Sequence, residues 1–167
     1  MQNAKDTFYE VMRSRIASAN PERTIVVRGL IRPGVLVEEN ELASAVSIAD
    51  CFRLQWAEAS VDTMGAMPVL TLRCEVLYET AGSAMNGMDR GRALTAMDAE
   101  LSAAVNASPQ NARKRSYAAV ANGGAAVPLS TNIWWSAVEL GPARIKGDRL
   151  VRTTSVAVMS FEEAGEQ

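Results

Sequence analysis

The side chains best suited to chemistry lie in a few short stretches of this 167-residue chain. Glu38, Glu39 and Glu41 bring carboxylates together within a single segment. Carboxylates converging from different elements hold divalent metals or work as an acid/base pair. A run along one segment reads instead as a solvated turn. Arg113, Lys114 and Arg115 are successive cations with Tyr117 close behind, a combination that contacts phosphates or stacks on bases. Gly123-Gly124 invites a phosphate-loop reading, which requires a preceding strand, a closing Gly-Lys-Ser/Thr and a following helix. Here a predicted helix precedes, no lysine follows and a strand comes next, so the pair lacks the parts of a phosphate cradle. Trp134-Trp135 is the most informative pair. Neighbours in a strand point to opposite faces, so one indole enters the core and the other lies outside it. An outward tryptophan is enriched at protein interfaces; coverage by the preceding segment is the alternative.

Composition narrows the chemistry. The chain has no histidine, which removes Ser-His and Cys-His nucleophile pairs, the commonest general base near neutral pH and a common zinc ligand. Carboxylate or lysine chemistry stays open. Cys51 and Cys74 sit apart in apolar runs, which fits reduced core thiols rather than a metal or disulfide framework. The methionines, among them Met64, Met67, Met85, Met88, Met97 and Met159, suit pliable packing, and no metal or cofactor is expected. A formal net charge of −2 supplies no global positive field. Arg113 to Arg115 therefore read as solvated or as facing an acidic neighbour, and no sequence-specific nucleic-acid partner is expected. MQNAKDTFYE has no apolar signal core and no long apolar run occurs, so synthesis in the cytoplasm without a membrane partner is the expectation.

The elements that position these residues follow from periodicity. Ala4, Phe8, Val11, Met12, Ile16 and Ala19 recur at helical spacing, which predicts an amphipathic helix over Asn3 to Ala19, capped by Asn3 and stopped at Asn20-Pro21. TIVVRGLI (Thr24 to Ile31) reads as one strand, Arg32-Pro33-Gly34 as a bend, and Val35 to Val37 as a continuation. Glu41 to Ile48 is ambiguous between a short helix and a loop. Phe52, Leu54 and Trp56 alternate with Arg53 and Gln55, the period of a half-buried strand. Ala57 to Pro68 reads as a hairpin connection. VLTLRCEVLYET sends Leu70, Leu72, Cys74, Val76 and Tyr78 one way and Thr71, Arg73, Glu75 and Glu79 the other. A second helix is predicted from Met88 to Val105, with Leu94, Met97, Leu101, Ala104 and Val105 as its stripe and Arg90, Arg92, Asp98 and Glu100 outside. The aperiodic stretch at about 110–132 reads as a long flexible loop. Strands over Ile133 to Leu140 and Leu150 to Phe161 complete the chain, before a frayed acidic tail. The expectation is a single α+β domain with two helices on one face of a mainly antiparallel sheet.

VLTLRCEVLYETAGSAMNGMDRGRALTAMDAELSAAV, followed by NIWWSAVELGPARIKGDRLVRTTSVAVMSFEE, resembles the central and final parts of the small phage tail terminator (tail completion, or head–tail joining) proteins. The first helix with TIVVRGLI and VLVEE is similar to their start. The resemblance is one of element order over most of the chain. It implies a non-enzymatic virion protein of the tail or neck: a homo-oligomeric ring, commonly hexameric, that caps the tail tube and offers a surface to the head connector. On that reading Arg113, Lys114, Arg115, Tyr117, Trp134, Trp135, Glu38, Glu39 and Glu41 are the candidate contact residues, the cations of one subunit facing the carboxylates of the next. The alternatives are another phage-type connector or baseplate subunit, and a small enzyme or ligand-binding domain using carboxylates and arginines in a cleft.

Overall fold

A computed structural model describes residues 1–37, 48–82 and 88–163. Helix α1 spans Gln2–Ala19 and buries Ala4, Phe8, Met12 and Ile16, the predicted stripe, together with Thr7. The helix begins before Asn3, so Asn3 is not its cap: the cap position falls on Met1 and makes no side-chain bond. The Asn3 carbonyl instead accepts from Thr7 Oγ1 at 2.6 Å. Asn20, with φ −144° and ψ 91°, leaves the helix, as a residue before proline must. Helix α2 spans Asp89–Asn106 and buries Leu94, Met97, Leu101, Ala104 and Val105.

The strands depart further from the simple reading. Thr24 to Ile31 is not one strand. It is a hairpin of β1 (Thr24–Val27) and β2 (Leu30–Pro33), reversed at Arg28 and Gly29, which have φ of 51° and 81°. Two successive positive φ values are the signature of the tight turn whose twist matches a hairpin. Ile25 of this ribbon packs with Leu36 and Cys51 in a small satellite core. Strands β3 (Val35–Val37), β4 (Phe52–Asp62), β5 (Val69–Thr80), β10 (Arg149–Phe161), β7 (Val127–Trp135) and β6 (Asn111–Ser116) are hydrogen-bonded neighbours in that order. Two short strands, β8 (Glu139–Leu140) and β9 (Arg144–Lys146), pair with the N-terminal half of β10. All pairings are antiparallel except β3 with β4. The α+β class is as expected, with more strands than the element count implied.

The stretch at 110–132 is the clearest correction. It is not one loop: β6 occupies its start and β7 its end, leaving a connection with a single 3-10 turn at Val120–Asn122. Edge strands shed the apolar alternation that marks central ones and carry charge instead, so Asn-Ala-Arg-Lys-Arg-Ser showed no period. The strand after it also differs, since β7 ends at Trp135 and Glu139 starts β8.

Alternate residues of the sheet meet both helices in one core that includes Val35, Phe52, Leu54, Leu72, Cys74, Val76, Tyr78, Ile133, Trp135, Val156 and Val158. Burial of each large apolar side chain contributes roughly 1.5–3 kcal/mol. Phe8 lies edge-on to Trp135 and Trp56, with ring centroids 5.7 and 5.8 Å apart. Cys51 and Cys74 are free and buried, and burial pushes the Cys74 thiol up, away from thiolate formation. Asp98 and Glu100 do not decorate the outside of α2. Asp98 accepts from the Tyr78 hydroxyl at 2.5 Å and lies 3.0 Å from Arg152 Nε. Glu100 accepts from Arg23 at 2.6 and 2.8 Å and from Asn20 at 2.8 Å. A helix period shows which residues face the core, but not which polar neighbours border that core.

Candidate functional site

Strand β7 separates the two tryptophans as alternation requires. Trp135 is buried, and its Nε1–H donates to the Val105 carbonyl at 2.9 Å. The guanidinium of Arg15 lies 4.9 Å from the Trp135 ring and donates to the carbonyls of Ala107 (2.7 Å), Pro109 (2.6 Å) and Ala104 (3.2 Å). Indole and guanidinium together satisfy the carbonyls that end α2, where a cation is also favoured by the helix dipole. Trp135 is thus an architectural residue.

Trp134 faces the other way. In register with Met159 of β10, it meets Phe161 edge-on at 5.5 Å, and Phe161 pairs with Val69 of β5. Trp134, Met159, Phe161 and Val69 line an apolar depression on the side of the sheet opposite the main core. Elsewhere on that side, Thr71, Arg73, Glu75, Ser155 and Ala157 occupy outward positions of β5 and β10, with Leu77 and Val151 as further apolar ones.

The cationic stretch divides. Arg113 and Arg115 are exposed on β6, but Lys114 has 0% exposure. Its ammonium donates to the Phe161 carbonyl at 2.6 Å and to Ser160 Oγ at 3.3 Å, with Glu163 Oε1 at 3.9 Å. A buried cation held by the chain's own acceptors is a structural tie, so Lys114 does not present itself to a neighbour. Glu163 in turn accepts from the backbone N–H and hydroxyl of both Ser130 and Thr131, at 2.6–3.0 Å. Desolvation pushes its pKa up, but these four bonds outweigh it and hold the carboxyl at about 2. Tyr117 is partly buried near α1, and desolvation, followed by the nearby Glu10 carboxylate, raises its hydroxyl. Gly123 has φ 80°, and a side chain on Gly124 would meet Ala119 at 2.9 Å. The pair therefore closes a tight turn. Glu38, Glu39 and Glu41 lie outside the described residues.

The remaining features are projecting apolar side chains that periodicity did not single out. The β1–β2 hairpin exposes Val26 (66%), Leu30 (71%) and Ile31 (76%). The distal part of β4–β5 exposes Met64 (96%) with Val61 and Met67, and Ile145 on β9 is 79% exposed. All were visible as apolar residues in or beside turns, yet sequence does not tell an exposed strand position from a buried one. Among the described residues no group of three His, Cys, Asp or Glu side chains is placed to hold a metal ion, and no helix is long and apolar enough to cross a membrane.

No family model and no curated protein matches the chain. Among solved structures it aligns with a chain of the "Virion of native gene transfer agent (GTA) particle". The alignment has 13% identity and a TM-score of 0.30, and covers 90% of this chain and 94% of that one. A superposition of that quality carries no argument about fold or role.

Proposed function

We propose that this chain is a non-enzymatic structural subunit of a phage-type virion. In this reading it acts as a tail terminator: a homo-oligomeric ring, hexameric as in the proteins it resembles, that caps the tail tube and meets the head connector in the neck. The observation that carries the assembly reading is the distribution of exposed apolar surface. Trp134, Met159, Phe161 and Val69 form a patch on one side of the sheet, and Val26, Leu30, Ile31, Met64 and Ile145 stand out on projecting ribbons. An outward tryptophan is enriched at protein interfaces, and a second subunit would cover these apolar side chains together. The tail-terminator identity rests on the resemblance in element order read from the sequence.

In this role Trp134 is the anchor of a subunit contact, and the exposed Arg113 and Arg115 of the neighbouring strand β6 supply its charge. Tyr117 lies apart from it near α1, and Glu38, Glu39 and Glu41 of the next subunit are the carboxylates those arginines would meet. Lys114 and Trp135 support the contact from within. The test is the mass of the purified protein by light scattering across a concentration series, with electron microscopy of the particles. A closed ring of fixed copy number is expected; a monomer at every concentration up to about 1 mM, the weak end of specific affinities, refutes the proposal.

A further inference from the structure

The two ends of the β5–β10 ladder differ in a way that fits one end of the molecule to the other. At the first end, the outer half of β4 lies along β5, which is itself backed by β10 as far as Phe161, and the connection 63–68 extends beyond that end as an exposed arm. From Ala57 to Pro68 every residue is exposed. A register shift between Trp56 and Glu58 bends β4 before its exposed outer half, as bulges do. This end carries the exposed apolar side chains of Val61, Met64 and Met67. Its charges are Glu58 and Asp62, with Glu162 against its base and Arg73 opposite Glu58.

At the second end, a groove opens between the first turns of α2 and the β9–β10 hairpin. Met88, Ile145 and Leu150 supply its apolar lining, and Arg90 and Arg92 its charge. Arg144 and Lys146 flank Ile145 on β9. Asp89 and Asp148 are the acids nearby, and Arg149 is paired with Glu79, so the end is basic. The arm begins at Val69 of β5, while Thr80 at the other end of that strand pairs with Leu150 beside the groove. At about 3.3 Å per residue these ends are roughly 36 Å apart.

We infer that the acidic, methionine-bearing arm of one copy docks in the basic groove of a second copy. The contact is head-to-tail, and it closes into a ring if the rotation per subunit permits. This rests on the assembly reading above and names two surfaces that would build it. Charge complementarity selects the occupant: a copy's arm brings two carboxylates and an apolar tip, and the groove offers cations around an apolar floor. The β1–β2 hairpin, whose cations are Arg28 and Arg32, would bring like charge, and such juxtaposition disfavours a partner.

Two surface variants test it. Glu58→Gln with Asp62→Lys makes the arm basic; Arg90→Glu with Arg92→Glu makes the groove acidic. Each variant alone is expected to lose self-association by at least about tenfold in sedimentation equilibrium at physiological salt. An equimolar mixture of the two is expected to regain the wild-type mass, because each arm then finds a groove of opposite charge. Variants that assemble like wild type, or a mixture that stays dissociated, overturn the inference while leaving the assembly reading intact. A wild-type protein that is itself monomeric throughout removes both.

Discussion

Lys114 shows how one side chain changes meaning once its surroundings are known. Between two arginines it reads as part of a cationic surface, yet its ammonium is committed to the Phe161 carbonyl and Ser160. Its neighbour Glu163 anchors β7 through Ser130 and Thr131. Because the folded-state pKa of Glu163 lies at about 2, below its ordinary 4.5, this carboxylate stabilises the fold above the ordinary value. That stability is lost as pH falls from 4.5 through about 2. Glu163→Gln is expected to flatten the acid limb of stability in that window, measured by urea midpoints at stepped pH. Tyr78→Phe removes the hydroxyl that donates to Asp98 at 2.5 Å. A loss of about 1.5–3 kcal/mol is expected in chemical denaturation, the range for a hydrogen bond to a charged group, because Tyr78 is fully buried.

Among the elements, α2 depends on groups from elsewhere in the chain. Arg15 of α1 and Trp135 of β7 hold the carbonyls of Ala104 and Val105 in its last turn, a turn that carries no basic residue of its own. Arg15→Met is expected to cost about 1–3 kcal/mol and to raise amide exchange in the last turn of α2 more than in β5. Equal acceleration in both would assign the effect to global stability. Leu101→Ala, in the middle of the buried stripe, is expected to cost 2–5 kcal/mol on the scale of core truncations, read from the denaturation midpoint. The strands reveal a different balance. Strand β5 was legible from Leu70 to Tyr78, where apolar alternation and burial coincide, but Glu79, read as outward and wet, is buried and paired with Arg149. The edge strand β6 was not legible, because its hydrogen-bond partner β7 supplies what its own side chains do not.

For the whole molecule, the two sides of the sheet have different fates. One joins α1 and α2 in the core; the other carries Trp134, Met159 and Phe161 at its surface. Trp134→Ser is therefore expected to leave the far-ultraviolet spectrum and the core intact while weakening self-association by more than tenfold, since interface tryptophans commonly carry 2 kcal/mol or more. Light scattering and circular dichroism on the same samples separate the two effects. A variant that loses its fold, or one that assembles normally, removes Trp134 from the contact.

Sequence alone determined the helices, the long central strands and the split orientation of Trp134-Trp135, because those follow from periods of 3.6 and 2 that a single chain carries within itself. It also determined that histidine chemistry is absent. The tertiary structure alone decided that Arg28-Gly29 turns a hairpin, that Lys114 and Asp98 are tied inward, and that 57–68 is left exposed. Lys114 depends on Phe161 and Asp98 on Arg152, partners distant along the chain. Local pattern specifies which face of an element is apolar, and only packing specifies what meets that face.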